Sequence, residues 1–405
     1  MLGQVYYGWW IVIACFFINF YVGGIVFFSF TAFFEPIQRE FGWSYTQISL
    51  ASSLRGLEMG IFAPVVGVLV DRLGSRKLLL SGSIIIGLGF FTLSLTQSLA
   101  MFYVSFLLIA FGAGGCTSVV TMTAVANWFH KNIGLALGIM ASGFGAGGLI
   151  IPLIVSLIDR FGWRITLILL GLGMLIIGIP LSLVVRNRPE SSLQGSTSFE
   201  RNEWHEQGAD VKLGEAVKSK PFIFLNMAET IRMMAVTAVV VHLMPYLSAL
   251  GFYRSTGGIV AAALPLVSIL GRFGFGWWAD RYDKRVVLAA TFLIMGAGLL
   301  VFSMVREMKM VVLFLLLFSP GFGGSMVVRG AILREYFGKA SFGKMLGIVL
   351  GSASIGGILG PTLAGYAFDS LGGYTLVWQL MSAFSMLAVV LALRMKPSRP
   401  MRRPS

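Results

Sequence analysis

The sequence predicts an all-α membrane protein with twelve transmembrane helices in two pseudo-symmetric six-helix bundles. Three observations carry that expectation. The 405 residues are 57% hydrophobic and only 12% charged, against about 25% charged in an ordinary soluble domain. Twelve apolar stretches of about 20 residues can be drawn along the chain, each long enough for a hydrocarbon core roughly 30 Å thick. Landmarks of the first six stretches recur in the second six.

The spans are expected, in order, at 8–34, 46–70, 77–97, 101–126, 133–158 and 164–186, then at 221–249, 256–279, 286–305, 310–334, 345–368 and 375–395. The polar stretch 187–220, rich in Ser, Glu, Asn and Lys, separates the two groups. It reads as a cytoplasmic linker, with a short surface helix near Val211–Lys218. The domains are therefore 1–186, the linker 187–220, and 221–405 with a basic cytoplasmic tail. Trp9, Trp10, Trp43 and Trp163 fall near span ends, where amphipathic rings favour the membrane interface. The glycine-rich runs Gly112–Gly115 and Gly143–Gly148 lie inside continuous apolar helices, and no Gly-Lys-Ser/Thr follows them. They read as helix-packing surfaces rather than phosphate loops, which argues against an ATP-driven pump.

A net charge of +14 would suit nucleic acid, but its distribution argues otherwise. With the N-terminus inside, roughly two thirds of the 31 Lys and Arg fall in cytoplasmic loops and tail, the positive-inside bias. Both termini are then cytoplasmic. The tail carrying Arg394, Lys396, Arg399, Arg402 and Arg403 meets the inner lipid leaflet. Residues 1–10 hold no Lys or Arg and run straight into span 1, so no cleavable signal is expected. Cys15 and Cys116 lie in separate helices without metal-ligand spacing, so neither a disulfide framework nor a metal site is expected, and no cofactor.

Three landmarks recur at nearly one period. Gly67-Val-Leu-Val-Asp71-Arg72-Leu-Gly74-Ser-Arg76-Lys77 returns as Gly276-Trp-Trp-Ala-Asp280-Arg281-Tyr-Asp-Lys284-Arg285, Asn127-Trp-Phe-His-Lys131 as Glu335-Tyr-Phe-Gly-Lys339, and Asp159-Arg-Phe-Gly162 as Asp369-Ser-Leu-Gly372, each about 209 residues on. Internal repeats of this kind characterise transporters that rock two bundles about a shared site.

The Gly-x-x-x-Asp-Arg-x-Gly-x-Arg-Lys run resembles the loop between spans 2 and 3 of the major facilitator superfamily, and the resemblance covers essentially the whole chain. It implies twelve helices, two six-helix domains and alternating access. It also implies that Asp71, Arg72 and Arg76, with Asp280 and Arg281, form gating charge pairs on the cytoplasmic side. Within that superfamily the chain is similar to monocarboxylate transporters and their bacterial relatives, including oxalate/formate exchangers. Tyr7-Gly8-Trp9-Trp10 resembles the opening of their span 1. Leu359-Gly360-Pro361-Thr-Leu-Ala-Gly365, with Asp369 and Tyr374, resembles the end of their span 11. Gly271-Arg272 stands where these families place a substrate arginine.

Arg272 lies in the apolar run Leu264–Asp280 of span 8. A cation at that depth costs about 2.5–3.5 kcal/mol on insertion scales, so it needs a counter-charge, a water-filled cavity or an anionic ligand. A guanidinium matches a carboxylate as a two-pronged donor. A salt bridge to Glu229 or Glu58 is the structural alternative. The resemblance has departures: Ser268 stands where animal monocarboxylate transporters carry Asp, Phe28 where they carry Lys, and Leu350 where oxalate exchangers carry a second cation. A single pocket cation suits one carboxylate.

His242, near the outer end of span 7, has the side-chain chemistry of a proton carrier, or it packs against a carbonyl freed by Pro245. Glu229 and Arg232 share a helical face at three residues' spacing, as do Arg55 and Glu58. Each pair either neutralises itself or exchanges a proton through Glu229 or Glu58. Arg329 meets Glu229 across the bundle or lines the inner exit. Asn19, Tyr21, Phe28, Ser352 and Ser354 complete a largely apolar substrate pocket.

These features describe a proton-coupled secondary transporter for small monocarboxylates of the lactate or pyruvate type, a monomer in a bacterial inner membrane. Its partners are a small organic monocarboxylate, protons and the lipid bilayer, with no nucleic acid. Alternatives are an organic-anion exchanger or, further off, an exporter of hydrophobic drugs. No enzymatic constellation is present in the sequence.

Overall fold

Among the described residues, ten segments are long and apolar enough to cross a bilayer, and there is helix and no strand. The computed structural model describes residues 6–57, 66, 69–70, 72–116, 118–129, 133–187, 213–337 and 342–395. Glu58, Asp71, His130, His205, most of the linker and the tail from Lys396 onward lie outside the described residues.

One of the ten segments, Ala136–Val184, is 49 residues long. A straight helix of that length would measure about 74 Å at 1.5 Å per residue, more than twice a hydrocarbon core. It is two spans joined at Gly162, whose φ of 77° and ψ of 163° are non-helical. Only a residue without Cβ adopts that backbone cheaply. Span 2 opens as a helix over Tyr45–Leu57. The spans are therefore consistent with twelve.

Span 1 runs further than expected, over Tyr7–Phe41. It passes through a π-helical turn at Gly23–Phe28 and continues as Phe30–Phe41. The extension persists because Phe30, Phe33, Phe34 and Ile37 keep one face buried, which favours an amphipathic helix past the apolar core. Trp163, expected at the interface, is buried, and its indole N–H donates to Glu40 Oε2 at 2.6 Å. The longer span 1 is what brings Glu40 to it.

Contacts divide the chain into two units: Met1–Glu40 with Leu57–Glu206, and Phe41–Gly56 with Gln207–Ser405. Each unit is built on close helix crossings at glycine, and the crossings repeat. In the first unit a Cβ on Gly82 would lie 2.7 Å from Gly112 O; in the second a Cβ on Gly321 would lie 2.6 Å from Thr291 O. Gly89 meets Ile109, and Gly298 meets Phe318. These pairs correspond at about 209 residues. Spans 1 and 5 cross where Gly143 and Gly147 meet the carbonyls of Phe16 and Phe20; spans 7 and 11 cross where Gly356 and Gly360 meet those of Thr230 and Met234. Here the correspondence is about 213 or 214 residues. Small residues at such crossings let backbones approach where lipid offers no hydrophobic drive.

The repeated motifs also cap span ends. Trp128 Nε1 donates to Arg186 O at 2.9 Å, and Asn187 Oδ1 accepts from the Arg76 amide at 3.0 Å. The counterpart residues Tyr336 and Arg285 both donate to Met395 O, at 3.4 and 3.1 Å. The last carbonyls of a helix have no partner within it; an aromatic N–H or O–H meets a carbonyl just past the final span in both units, joined in the second by the Arg285 guanidinium, while in the first the Arg76 amide goes to the Asn187 side chain.

Candidate functional site

Four charged side chains of the second unit come from three helices: span 7 (Lys220–Ala249), span 8 (Arg254–Arg281) and span 10 (Met308–Phe337). Glu229 is fully buried, with Arg232 at 3% and Arg329 at 7% exposure. Glu229 Oε2 accepts from Arg232 Nε at 2.9 Å and from Arg329 Nη1 at 2.8 Å. Its other oxygen, Oε1, is buried without a hydrogen-bond partner, as is Arg329 Nε. The carboxylate therefore holds two guanidiniums through one atom.

Arg272 is half-buried on span 8, one residue beyond Gly271, where any Cβ would overlap the Pro320 backbone of span 10 at a close crossing. Gly323 of span 10 meets the Ser268 carbonyl one turn away, and Gly324 meets the Phe275 ring. These crossings fix the face of span 8 that carries Arg272. Its Nε is buried without a partner, and it forms no ion pair with the described acidic residues. The charge of Arg232 bears on it from span 7. Among the described residues, three guanidiniums against one carboxylate leave an excess of two positive charges in this part of the unit. Such an excess in a low-dielectric interior favours an anion.

His242 is fully buried at a different level of span 7, ten residues from Arg232, or about 15 Å along the helix. Its Nε2 lies 3.0 Å from Pro361 O and 2.9 Å from Ser49 Oγ; its Nδ1 lies 2.8 Å from Tyr374 Oη. A carbonyl only accepts, so Nε2 carries the proton and Tyr374 donates to Nδ1. Ser49 Oγ donates to Tyr45 O at 2.6 Å and can receive the Nε2 proton. Asp369 closes the same end by accepting from the amides of Tyr45 and Thr46, at 3.1 and 2.8 Å, and from Thr46 Oγ1 at 2.6 Å. Sequence reasoning missed Ser49, an ordinary helical serine with no local signal.

The remaining candidates are placed as follows. In the first unit, Asn19 Nδ2 donates to Met140 O at 3.3 Å and to Thr121 Oγ1 at 3.4 Å, and Tyr21 Oη donates to Leu170 O at 3.1 Å. Phe28 is buried edge-on against Phe144. In the second unit, Ser352 Oγ donates to Asn226 Oδ1 at 2.6 Å and Ser354 Oγ to Gly351 O at 2.6 Å. Arg72, Arg76, Asp280 and Arg281 are exposed, and Arg281 stacks over Trp277 at 3.9 Å. Arg55 lies in the helix Tyr45–Leu57. Beside the Asp280 loop, Asp283 caps span 9 and pairs with Arg285 at 2.5 Å, and Lys284 pairs with Glu335 of span 10. The Arg285 hydrogen bonds hold the Asp283 carboxyl below the usual carboxylate range. His242 thus stands apart from the arginine cluster, while Glu229, Arg232, Arg329 and Arg272 belong together.

A helical membrane fold with two internally repeated units and buried charge inside one of them defines a secondary transporter. The chain belongs to the Major Facilitator Superfamily, which it matches over residues 9–273 and 227–405. This is a family of transporters, not of enzymes. Among curated relatives it is 24% identical to monocarboxylate transporter 12 of Mus musculus over 414 residues, covering 94% of this chain and 83% of that one. It is 25% identical to YcxA, an uncharacterised transporter of the same type from Bacillus subtilis (strain 168), covering 90% of each. Among solved structures, the nucleoside transporter NupG aligns with a TM-score of 0.77 at 12% identity, over 96% of this chain and 99% of that one. A bacterial homologue of the human lysosomal transporter Spinster, in an inward-facing and unoccupied conformation, aligns with a TM-score of 0.74 at 15% identity, over 97% and 95%. These likenesses establish the fold.

Proposed function

We propose that this protein carries small monocarboxylates of the lactate or pyruvate type across a bacterial inner membrane, with Arg272 receiving the carboxylate. The observation that carries this reading is Arg272 itself. It is a permanent cation inside a membrane helix, without an ion pair among the described residues, and it adds to a cluster already in positive excess. An arriving carboxylate supplies the missing charge through a two-pronged hydrogen bond. The similarity to monocarboxylate transporters supports the substrate class. Alternating access of a six-helix pair would carry the loaded site across, with both termini in the cytoplasm and Asp71, Arg72, Arg76, Asp280 and Arg281 at the cytoplasmic gate.

Proton symport is the proposed coupling, with His242 as the proton's site. A second proton on Nδ1 requires only that Tyr374 turn its hydroxyl to accept, so the charged ring keeps every partner. Glu229 is the weaker carrier, because its Oε2 is already committed to two guanidiniums. That same observation favours a second reading, exchange of one organic anion for another without a proton. The test is uptake of labelled L-lactate into proteoliposomes, with and without an inward proton gradient, for wild type and Arg272→Ala. Gradient-driven uptake lost in the variant supports symport on Arg272. Gradient-independent uptake that requires internal lactate moves the assignment to exchange. No lactate uptake by folded protein in either mode removes the lactate assignment.

A further inference from the structure

Glu229 occupies a place built for an anion. Two guanidiniums from different helices converge on one of its oxygens, at 2.9 and 2.8 Å, and the other oxygen has no partner although it is buried. A carboxylate placed for structural pairing alone would be expected to use both oxygens, since each can accept about two hydrogen bonds.

The repeat shows that the scaffold does not need charge here. By the correspondence of the close crossings, Glu229, Arg232 and Arg329 stand where the first unit has Cys15, Ile18 and Val120, and all three of those are buried. The same helices pack in both units, with an apolar set in one and a carboxylate between two arginines in the other. The charged set is an addition to the common frame, and it lies in the unit that carries Arg272.

We infer that Glu229 is a specificity-determining residue: a tethered carboxylate that fills a second anion position and so restricts the substrate to one carboxylate. This rests on the reading of Arg272 as the substrate's carboxylate site. Charge balance supports it. Three guanidiniums with Glu229 and a monocarboxylate leave one positive charge. Three guanidiniums with a short dicarboxylate and no Glu229 leave the same charge. Removing the side chain therefore opens Arg232 and Arg329 to the second carboxylate of a dianion. Arg232 suits that role, because only its Nε is engaged, and Nη1 and Nη2 have no hydrogen-bond partner among the described residues.

The test is ligand-induced thermal stabilisation of the purified full-length protein, comparing wild type with Glu229→Ala and Glu229→Gln. The probes are L-lactate and malonate, with chloride at matched ionic strength. Wild type should respond to lactate and not to malonate. The variants should gain a malonate response at least roughly 10-fold stronger in apparent affinity than that of wild type. Folded variants that still bind lactate but respond to malonate no better than wild type would overturn the inference. Should the variants fail to fold in plain buffer, recovery when malonate is present throughout purification supports it, and failure of malonate to rescue either variant counts against it. Arg272→Ala in the wild-type background reads the underlying assignment separately. If that variant keeps its lactate response, Arg272 is not the carboxylate site, whatever malonate does in the Glu229 variants.

Discussion

Arg329 on span 10 donates through Nη1 to Glu229 Oε2 on span 7 at 2.8 Å, across 100 residues of sequence. The same oxygen already receives Arg232, so Glu229 is the hub and each arginine a spoke. That asymmetry predicts unequal costs. Arg329→Met leaves Glu229 paired with Arg232, and should lower stability by about 1–3 kcal/mol, the range for a lost buried hydrogen bond. Glu229→Gln leaves two buried guanidiniums without a counter-charge, and should cost about 3–5 kcal/mol in the absence of added carboxylate. Thermal unfolding in detergent reads both. Equal losses would show that the hub description is wrong.

The pairing shows what a sequence can and cannot disclose. Glu229 and Arg232 are three residues apart, so their shared face is legible from helical spacing alone. Arg329's partner is not, because no local rule connects span 10 to span 7; the tertiary crossing decides it. Arg272 is legible as a misplaced charge in an apolar run. The contacts of His242 are not, since Ser49 and Tyr374 reach it from distant segments. Trp163 stands at a span end, as its position in the sequence suggests, but its partner is not legible there, because Glu40 arrives only through the continuation of span 1 past the apolar stretch. The repeated Trp128 and Tyr336 motif is visible as a pattern, and only the structure gives its purpose in capping the ends of spans 6 and 12.

The crossing of spans 8 and 10 should be intolerant of any side chain at Gly323. A Cβ there would meet the Ser268 carbonyl well inside contact distance, backbone against backbone. Gly323→Ala should destabilise by about 1–3 kcal/mol, as overpacking does. It should also weaken carboxylate binding, because the crossing sets the face on which Arg272 lies. Gly347→Ala is the control, since nothing lies within 4 Å of its Cβ position. That change should be neutral or stabilising by up to about 1 kcal/mol through helix propensity. Unfolding midpoints of the two variants, measured side by side, decide the matter.

Asp283 gives a pH dependence outside the membrane. Arg285 hydrogen bonds hold its carboxyl below the ordinary value, so the folded state binds the proton less tightly than the unfolded one. The resulting stability is present above the unfolded pKa of about 3.9 and is lost as pH falls through the lower folded value. The pair is partly exposed, so solvent screening limits its worth to under about 1 kcal/mol. Asp283→Asn should remove that contribution at neutral pH. It should also flatten the fall in stability below about pH 4 relative to wild type. Unfolding midpoints across an acid series test the sign. A variant that falls as steeply as wild type would contradict it.

Tyr374 separates the two modes of transport. Its hydroxyl lies 2.8 Å from His242 Nδ1, and the ring nitrogen is buried. In Tyr374→Phe that nitrogen loses its donor, at a cost of about 1–3 kcal/mol for an unsatisfied buried acceptor. The effect on a protonated ring is larger, because the charged form loses the Tyr374 oxygen that would receive its Nδ1 proton, and hydrogen bonds to charged groups are worth more. Proton-driven uptake of L-lactate should therefore fall further than lactate–lactate exchange measured at equal pH on both sides. Equal loss in both assays would place Tyr374 in packing alone and remove His242 from the proton's path. A selective loss of the driven mode, with exchange retained, is the outcome expected if the proton rides on His242.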